Sequence, residues 1–181
     1  MAQITEDLVW NETHSATNVS NWDRTTASDD SKASFATITQ GDGNITFGLT
    51  NLTHTPTSIT SVQMIHESQA NASVTVVIDA QMRNSSDSQL NQQYTSFAGT
   101  SDTVVTDMTV HTTNGGTSAA WTENDINTLR IYLKYHTTSG PSDDSYIDHF
   151  YVRVIYNAEA GLINVPSGII NLTSGILKLS L

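Results

Sequence analysis

The chain has no cysteine, which excludes disulfides, thiolate metal sites and cysteine nucleophiles. Basic residues are also scarce: 7 Lys and Arg stand against 18 Asp and Glu, which gives a formal net charge of −11. This charge opposes sequence-independent binding to phosphate backbones and to anionic membrane surfaces. No apolar run has the length that a membrane-spanning helix needs. We therefore expect neither nucleic acid nor membrane as a partner, and we expect packing and oligomerisation to supply stability.

A targeting segment is also missing from the start of the chain. Residues Met1 to Asp7 contain neither a basic region nor an apolar run, and a secretory signal peptide needs both. We therefore expect synthesis in a host cytoplasm without export.

Alternation of apolar and polar residues is the clearest structural signal. Three segments place apolar side chains on one face of a strand: Val74, Val76, Ile78, Ala80 and Met82; Leu129, Ile131, Leu133 and Tyr135; Phe150, Val152, Val154 and Tyr156. A period of two is typical of half-buried strands. Thr122 and Asp125 have capping-box spacing and predict one short helix. About eight strands with almost no helix predict an all-β protein, an antiparallel β-sandwich of jelly-roll type.

The order of these segments suggests which strands are neighbours. Residues 1 to about 30 are polar, and we expect an irregular lead-in there. The turn residues between the alternating segments 35–39 and 45–49 predict a hairpin. We expect the strand at 58–67 to pair with the strand at 74–82. Further strands are expected at 90–97 and at 103–111, where Val104, Thr106, Met108 and Val110 share a face.

The end of the chain carries a near-repeat of seven residues, at 163–169 and 170–176, followed by a shorter unit at 177–181. Each full repeat is a short alternating strand with a Ser-Gly turn, and its Gly argues against a coiled coil. We therefore expect a β-sandwich domain over 1–157 and a short-strand C-terminal arm over 158–181. The predicted interface of this arm consists of its apolar residues: Leu162, Ile163, Val165, Ile169, Ile170, Leu172, Ile176, Leu177, Leu179 and Leu181.

Two structures are open for the arm. It forms either a final hairpin on its own domain or an element that joins subunits or docks them on a larger shell. Each apolar side chain would contribute roughly 1.5 to 3 kcal/mol if fully buried. Left in water, the same side chains would promote aggregation. This argument favours the assembly role.

No residue pattern indicates catalysis, a cofactor or a metal. The six histidines have no metal-ligand spacing, and no Gly-x-Ser-x-Gly elbow is present. Asp143, Asp144 and Asp148 offer oxygen ligands to a cation such as Ca²⁺, with a solvated turn as the preferred alternative. We expect a protein that is not an enzyme, with no catalytic residue, no cofactor and no metal site.

Aromatic residues offer a choice between packing and ligand binding. Trp121 precedes the predicted helix, and we expect it to plug the end of the core. Tyr132 and Tyr151 lie on strand faces opposite the inward set, so they are the candidate ligand-stacking aromatics. A glycan is therefore a possible partner, with a subunit interface as the alternative role.

Three segments together carry a family resemblance. Residues 22–31, together with 120–129 and 147–156, resemble the jelly-roll structural proteins of tailed bacteriophages, in which a Trp-led turn precedes a strand and an "aromatic-Val-x-Val-x-Tyr" strand closes the sandwich. The resemblance covers roughly residues 20 to 157 and implies a non-enzymatic virion component, a homotrimer in many such cases.

The first functional hypothesis is therefore a capsid decoration, or cement, protein on the capsid surface of a virion. Its partners would be further copies of itself and the major capsid protein, and it would stabilise the phage head through subunit contacts. The alternative hypothesis is a carbohydrate-binding module or a receptor-binding domain of a tail fibre or tail tip.

Overall fold

The computed structural model describes residues 1–17, 19–20, 25, 33–35, 43–70, 76–97, 104–137, 145–159, 162–165 and 168–171. Its elements are β1 (Ala2–Thr17), β2 (Val19–Ser20), β3 (Ala33–Phe35), β4 (Gly43–Leu49), β5 (Pro56–Ala70), β6 (Val76–Arg83), β7 (Gln89–Phe97), β8 (Val104–Asp107), α1 (Glu123–Asn127), β9 (Arg130–Thr137), β10 (Ser145–Ala158), β11 (Leu162–Val165) and β12 (Gly168–Asn171).

Ten of these strands form two antiparallel layers that share β1. Residues Ala2 to Val9 of β1 pair with β10, which also pairs with β5 and β3; β8 and β2 extend this layer, which we name sheet A. Residues Trp10 to Thr17 pair with β4, followed in order by β9, β6 and β7, which form sheet B. Register shifts after Trp10 and Thr13 accompany the passage of β1 from one layer to the other. The predicted antiparallel β-sandwich of jelly-roll type is confirmed.

The core lies between the two sheets. Phe47 of sheet B and Phe150 of sheet A meet edge to face, with ring centroids 5.5 Å apart. The predicted inward residues that the structure describes are buried: Ile78, Ala80, Met82, Leu129, Ile131, Leu133, Tyr135, Phe150, Val152, Val154 and Tyr156. Trp121 is 3% exposed, and its Nε1 donates to the His111 carbonyl at 3.2 Å. The indole therefore belongs to the core, as predicted.

The short helix also forms as predicted. Thr122 Oγ1 accepts a hydrogen bond from the Asp125 backbone N–H at 3.1 Å, and the Asp125 carboxylate accepts one from the Thr122 N–H at 2.9 Å. This reciprocal pair is the capping box that the spacing indicates.

Residues 18, 21–24 and 26–30 of the predicted irregular lead-in lie outside the described residues. Over Ala2–Thr17 the prediction is wrong, because these residues form β1, the strand that joins the two sheets. Its polar composition has a physical reason. Glu6 faces the end of the core, where its carboxylate accepts a hydrogen bond from Tyr156 Oη at 2.7 Å and from the Thr53 N–H at 3.1 Å. Residues 11 to 17 are largely exposed.

Two predicted strand pairings are also wrong. β3 pairs with β10 and β2, and β4 pairs with β1 and β9, so they do not form a hairpin. β5 and β6 lie in different sheets. Alternation identifies the buried face of a strand but not the neighbour that pairs with it. β8 ends at Asp107, and Val110 is 51% exposed rather than sharing the buried position of Met108.

In the arm, β11 and β12 form a separate antiparallel hairpin with Ile163 opposite Ile170. Short β structure in the arm is therefore confirmed. The predicted interface residues Leu172, Ile176, Leu177, Leu179 and Leu181 lie outside the described residues. In the part of the chain that the structure describes, no helix is long and apolar enough to cross a membrane.

Candidate functional site

Polar and aromatic side chains converge on the outer face of sheet B. On this face Arg130 is opposite Arg83, Tyr132 is opposite Gln81, and β7 follows with Gln92 opposite Gln81 and Tyr94 opposite Asp79. We name this surface the polar face; its members are Asp79, Gln81, Arg83, Gln92, Tyr94, Arg130, Tyr132 and Lys134, which is opposite Asp79. On β6 and β9 they alternate with core residues of sheet B.

A chain of hydrogen bonds fixes the β6 side chains of the polar face. Gln81 Nε2 donates to the Asp79 carboxylate at 3.1 and 3.3 Å, and Gln81 Oε1 accepts from Arg83 Nη2 at 2.7 Å and Nε at 3.0 Å. Gln92 Nε2 adds bonds to Asp79 Oδ1 at 2.8 Å and to Tyr94 Oη at 2.6 Å. Gln81 is 7% exposed although it points away from the core, so its neighbours on the polar face cover it. These groups are held in place before any ligand arrives.

Tyr132 and Tyr94 have different positions on the polar face. The Arg83 guanidinium carbon lies 3.9 Å from the centroid of the Tyr132 ring, a cation–π contact, and Tyr132 is half-buried. Tyr94 is 63% exposed, the largest value for an aromatic residue that the structure describes. Tyr132 therefore supports Arg83, while Tyr94 presents its ring to solvent.

A groove of about 370 Å³ lies beside the polar face, at the end of sheet B where Arg130 is located. Its lining residues are Asn11, Glu12, His14, Gly48, Leu49, Asn51, Ser85, Asn127, Thr128, Leu129 and Arg130. Gly48 keeps the groove open, since a Cβ there would lie 3.2 Å from Glu12 Cγ and 3.4 Å from His14 Nε2. The groove therefore offers amide, hydroxyl, carboxylate and guanidinium groups to a polar ligand.

Arg130 is another cation of this region. Its Nη1 lies 3.1 Å from Asp87 Oδ1, across a turn in which Asn84 Oδ1 accepts hydrogen bonds from the backbone N–H groups of Ser86 and Ser88. Asp87 has φ 61°, a left-handed conformation that Asp tolerates better than most residues. This turn neutralises Arg130.

The outer face of sheet A has a different arrangement around Tyr151. Arg153 lies 5.3 Å from the Tyr151 ring and donates two hydrogen bonds to the Asp7 carboxylate, at 2.8 and 2.9 Å. The Asp7 hydrogen bond raises the pKa of Arg153. His149 stacks beside Tyr151 at 4.7 Å, and burial lowers its pKa against the opposing effect of Glu67, Asp148 and Asp7.

The interior of sheet A holds a polar pair. His66 is fully buried, and its Nδ1 is 2.5 Å from Ser68 Oγ. Burial lowers the pKa of His66 to about 4 and raises the pKa of the buried Tyr135. Both side chains are therefore neutral at pH 7 and belong to the folded core.

The two aromatic residues that the sequence singled out are not brought together, because Tyr132 is on sheet B and Tyr151 on sheet A. Arg83, Gln92 and Tyr94 were missed. The outward side of β6 was visible in its alternation, but nothing local indicates that β7 and β9 flank it. Of the predicted interface residues in the arm, Leu162, Ile163, Val165, Ile169 and Ile170 lie on the β11–β12 hairpin.

Only one of the three proposed oxygen ligands for a cation lies among the described residues. Asp143 and Asp144 lie outside the described residues, and Asp148 is 3% exposed within β10. Among the residues with described positions, no group of three His, Asp or Glu side chains is arranged to hold a metal ion.

No protein-family model matches the chain, and no curated protein sequence matches it. Among solved structures, it is similar to an arabinose-bound GH51 α-L-arabinofuranosidase (11% identity, TM-score 0.46) and to PfGH50B (10% identity, TM-score 0.47), covering 83% of this chain and 23% and 24% of those chains. It is also similar to TmCBM61 in complex with β-1,4-galactotriose, with 10% identity, a TM-score of 0.32 and coverage of 83% of this chain and 86% of that one. The chain thus spans about a quarter of the two larger proteins, and TM-scores below 0.5 assign it no function.

Proposed function

We propose that this chain is a non-catalytic β-sandwich module that binds a glycan on the polar face of sheet B. The observation that carries the proposal is the exposed Tyr94 ring beside the hydrogen-bonded groups of Asp79, Gln81, Arg83 and Gln92. A sugar ring has an apolar face that stacks on an aromatic ring and hydroxyl groups that need polar partners at its edge. The polar face supplies both within one fixed surface.

Each group has a defined task in this proposal. Tyr94 stacks on the sugar, while the Asp79 carboxylate accepts hydrogen bonds from hydroxyl groups. Arg83 donates hydrogen bonds, and Tyr132 holds its guanidinium in position. The groove around Gly48 extends the surface toward Arg130, so a chain of several sugar units is accommodated.

An array of plant, bacterial and animal glycans tests this function. We expect the wild-type protein to bind a subset of these glycans and Tyr94→Ala to weaken that binding at least about tenfold, since a buried aromatic anchor is commonly worth more than 1 kcal/mol. Tyr151→Ala is the matched control, because it removes a Tyr from the outer face of the other sheet. Binding to no glycan, or equal losses in the two variants, would contradict the proposal.

The second candidate is the capsid decoration protein, and the β11–β12 hairpin is the observation that favours it. An isolated two-stranded hairpin is marginally stable in water, so a hairpin with this apolar content needs a partner surface. A homotrimer joined through such arms, or docked on a major capsid protein, would provide one.

Deletion of residues 161–181 tests the assembly role of the arm. Light scattering should report an oligomer for the full chain and a monomer for the truncated one. If both have the same mass per particle, the arm does not join subunits. Immunolabelling of an intact particle would then separate a capsid position from a tail position.

A further inference from the structure

In the part of the chain that the structure describes, Arg83 has no carboxylate partner of the kind that a half-buried arginine usually has. Within the described residues its side chain makes no ion pair, and its hydrogen bonds go to the neutral amide oxygen of Gln81. Those two bonds use Nε–H and one Nη2–H. The second Nη2–H and both Nη1–H groups remain available as donors, and the second Nη2–H forms the end-on fork of the guanidinium with the Nη1–H that is parallel to it. This fork has the geometry that a planar carboxylate accepts in two parallel hydrogen bonds.

The surroundings of Arg83 increase the local positive charge. Arg130 is directly opposite on the neighbouring strand β9, and like charges in this position destabilise a sheet. Asp87 neutralises Arg130, but no described residue does the same for Arg83. Among the described residues, Arg83 therefore has no acidic partner, although the chain carries 18 acidic residues against 7 basic ones. Two arginines that face each other, one of them without a described acidic partner, cost stability, and such a cost is typical of a functional site.

The guanidinium of Arg83 is also fixed in orientation. The Tyr132 ring packs against the plane of the guanidinium, with its centroid 3.9 Å from the Arg83 guanidinium carbon, and Gln81 accepts hydrogen bonds at the edge of the guanidinium. Asp79 fixes the orientation of Gln81 by accepting from its amide nitrogen, which directs the amide oxygen to Arg83. A side chain ordered in this way loses little conformational entropy when it binds a ligand.

We infer that the glycan of the polar face carries a carboxylate, as a sialic acid or uronic acid unit does, and that Arg83 receives it. This inference rests on the proposed function and names the class of sugar that the same surface prefers. The ligand carries an isolated acidic unit rather than a dense row of charges. A polyanion would be repelled by the net charge of −11 on the protein, whereas a single carboxylate at Arg83 is attracted locally. Tyr94 is placed to stack on a sugar ring of the same ligand.

Calorimetric titration with a matched set of oligosaccharides tests the inference. The probes are lactose, lactose capped with sialic acid, lactose capped with glucuronic acid and lactose carrying a sulfate ester. The proteins are the full-length wild type, Arg83→Gln, Arg83→Lys and the control Arg153→Gln on sheet A. Thermal unfolding of each variant establishes that it is folded.

We expect at least one carboxylate-capped lactose to bind the wild type at least tenfold more tightly than lactose does. Arg83→Gln should remove that preference, Arg83→Lys should retain only part of it because an ammonium lacks the fork, and Arg153→Gln should leave it unchanged. Equal affinity for capped and uncapped lactose would overturn the inference, as would a preference for the sulfate ester alone. If the inference fails but neutral glycans still bind and lose affinity in Tyr94→Ala, the proposed glycan-binding function stands and only the preference for a carboxylate is wrong. If no saccharide binds, the proposed function and the inference both fail.

Discussion

The outer faces of the two sheets share an arginine beside a tyrosine and differ in what the arginine contacts. On sheet A, Arg153 near Tyr151 forms two hydrogen bonds to the Asp7 carboxylate. On sheet B, Arg83 lies over Tyr132, and in the part of the chain that the structure describes its hydrogen bonds go only to the neutral oxygen of Gln81, which leaves a fork of N–H groups free. The sheet A arrangement satisfies its own charge, whereas no described residue supplies a carboxylate to Arg83 on sheet B. The difference teaches that the partner of a surface arginine, rather than its presence, distinguishes a binding face from a structural one.

Acidification has the largest expected effect, because it acts on the interior that both faces share. The unfolded chain binds a proton at His66 near pH 6.5, whereas the folded chain does so only near pH 4. Stability is therefore full above pH 6.5 and falls as the pH drops toward 4, by about 3 kcal/mol for this group.

Urea unfolding at pH 7 and at pH 4.5, for wild type and His66→Gln, measures this loss. The variant should lose about 2 to 3 kcal/mol less between the two pH values. Both proteins retain the other titrating groups, including His111 and His149, whose pKa values are also lowered by burial. An equal pH dependence would show that His66 is not buried in its neutral form.

Filling the groove is the next largest change and acts on one face only. In Gly48→Trp the indole would occupy the space between Glu12, His14 and Arg130, and the displaced end of Glu12 is exposed and flexible. We expect glycan binding to fall about 30-fold, the size of a binding hot spot, and thermal unfolding establishes that the variant is folded. The matched control is Thr5→Trp, an exposed position on sheet A opposite Ile155. Equal losses of glycan affinity in Gly48→Trp and Thr5→Trp would show that the ligand does not bind specifically on sheet B.

Asp7→Asn removes the carboxylate that pairs with Arg153, so that the arginine on sheet A resembles Arg83 on sheet B. Arg153 would then contact a neutral amide, as Arg83 does. Because the Arg153–Asp7 pair is partly exposed, its loss should cost at most about 1 kcal/mol of unfolding free energy. Titration with sialic-acid-capped lactose should reveal a second, weaker site in this variant. If no second site appears, a free arginine beside a tyrosine is not sufficient, and Tyr94 or the groove is also needed.

Asp87→Asn has the smallest expected effect and sharpens the comparison within sheet B. The change removes the charge that neutralises Arg130, and Asn also tolerates the left-handed conformation at this position. We expect carboxylate-capped lactose to bind about two- to fivefold more tightly, while lactose binds as before. Weaker binding of the capped sugar would place the ligand away from Arg130.

The sequence predicts which side chains of a strand are buried better than it predicts which strands pair with each other. The inward positions Leu129, Ile131 and Leu133, and the capping box of Thr122 and Asp125, follow from local spacing, which local chemistry determines. The strand β1 was missed because its polar residues are satisfied by partners remote in sequence, as Glu6 is by Tyr156.

The same limit applies to the candidate site. Alternation places Asp79 and Gln81 on the outer side of β6. The contact of Arg83 with Tyr132 depends on β6 pairing with β9, two strands that are separated in the chain by β7, β8 and the helix. Periodicity within a strand carries no information on such a pairing, so the sequence identifies Tyr132 as a surface aromatic but not its contact with Arg83.

The most direct test of the account is amide chemical-shift mapping of the full chain with sialic-acid-capped lactose. If the polar face binds this sugar, saturable shifts will cluster at Asp79, Gln81, Arg83 and Tyr94 and at the facing residues of β9, with none at Tyr151 or Arg153. Shifts centred on the outer face of β10, or no saturable shift on sheet B, would contradict it.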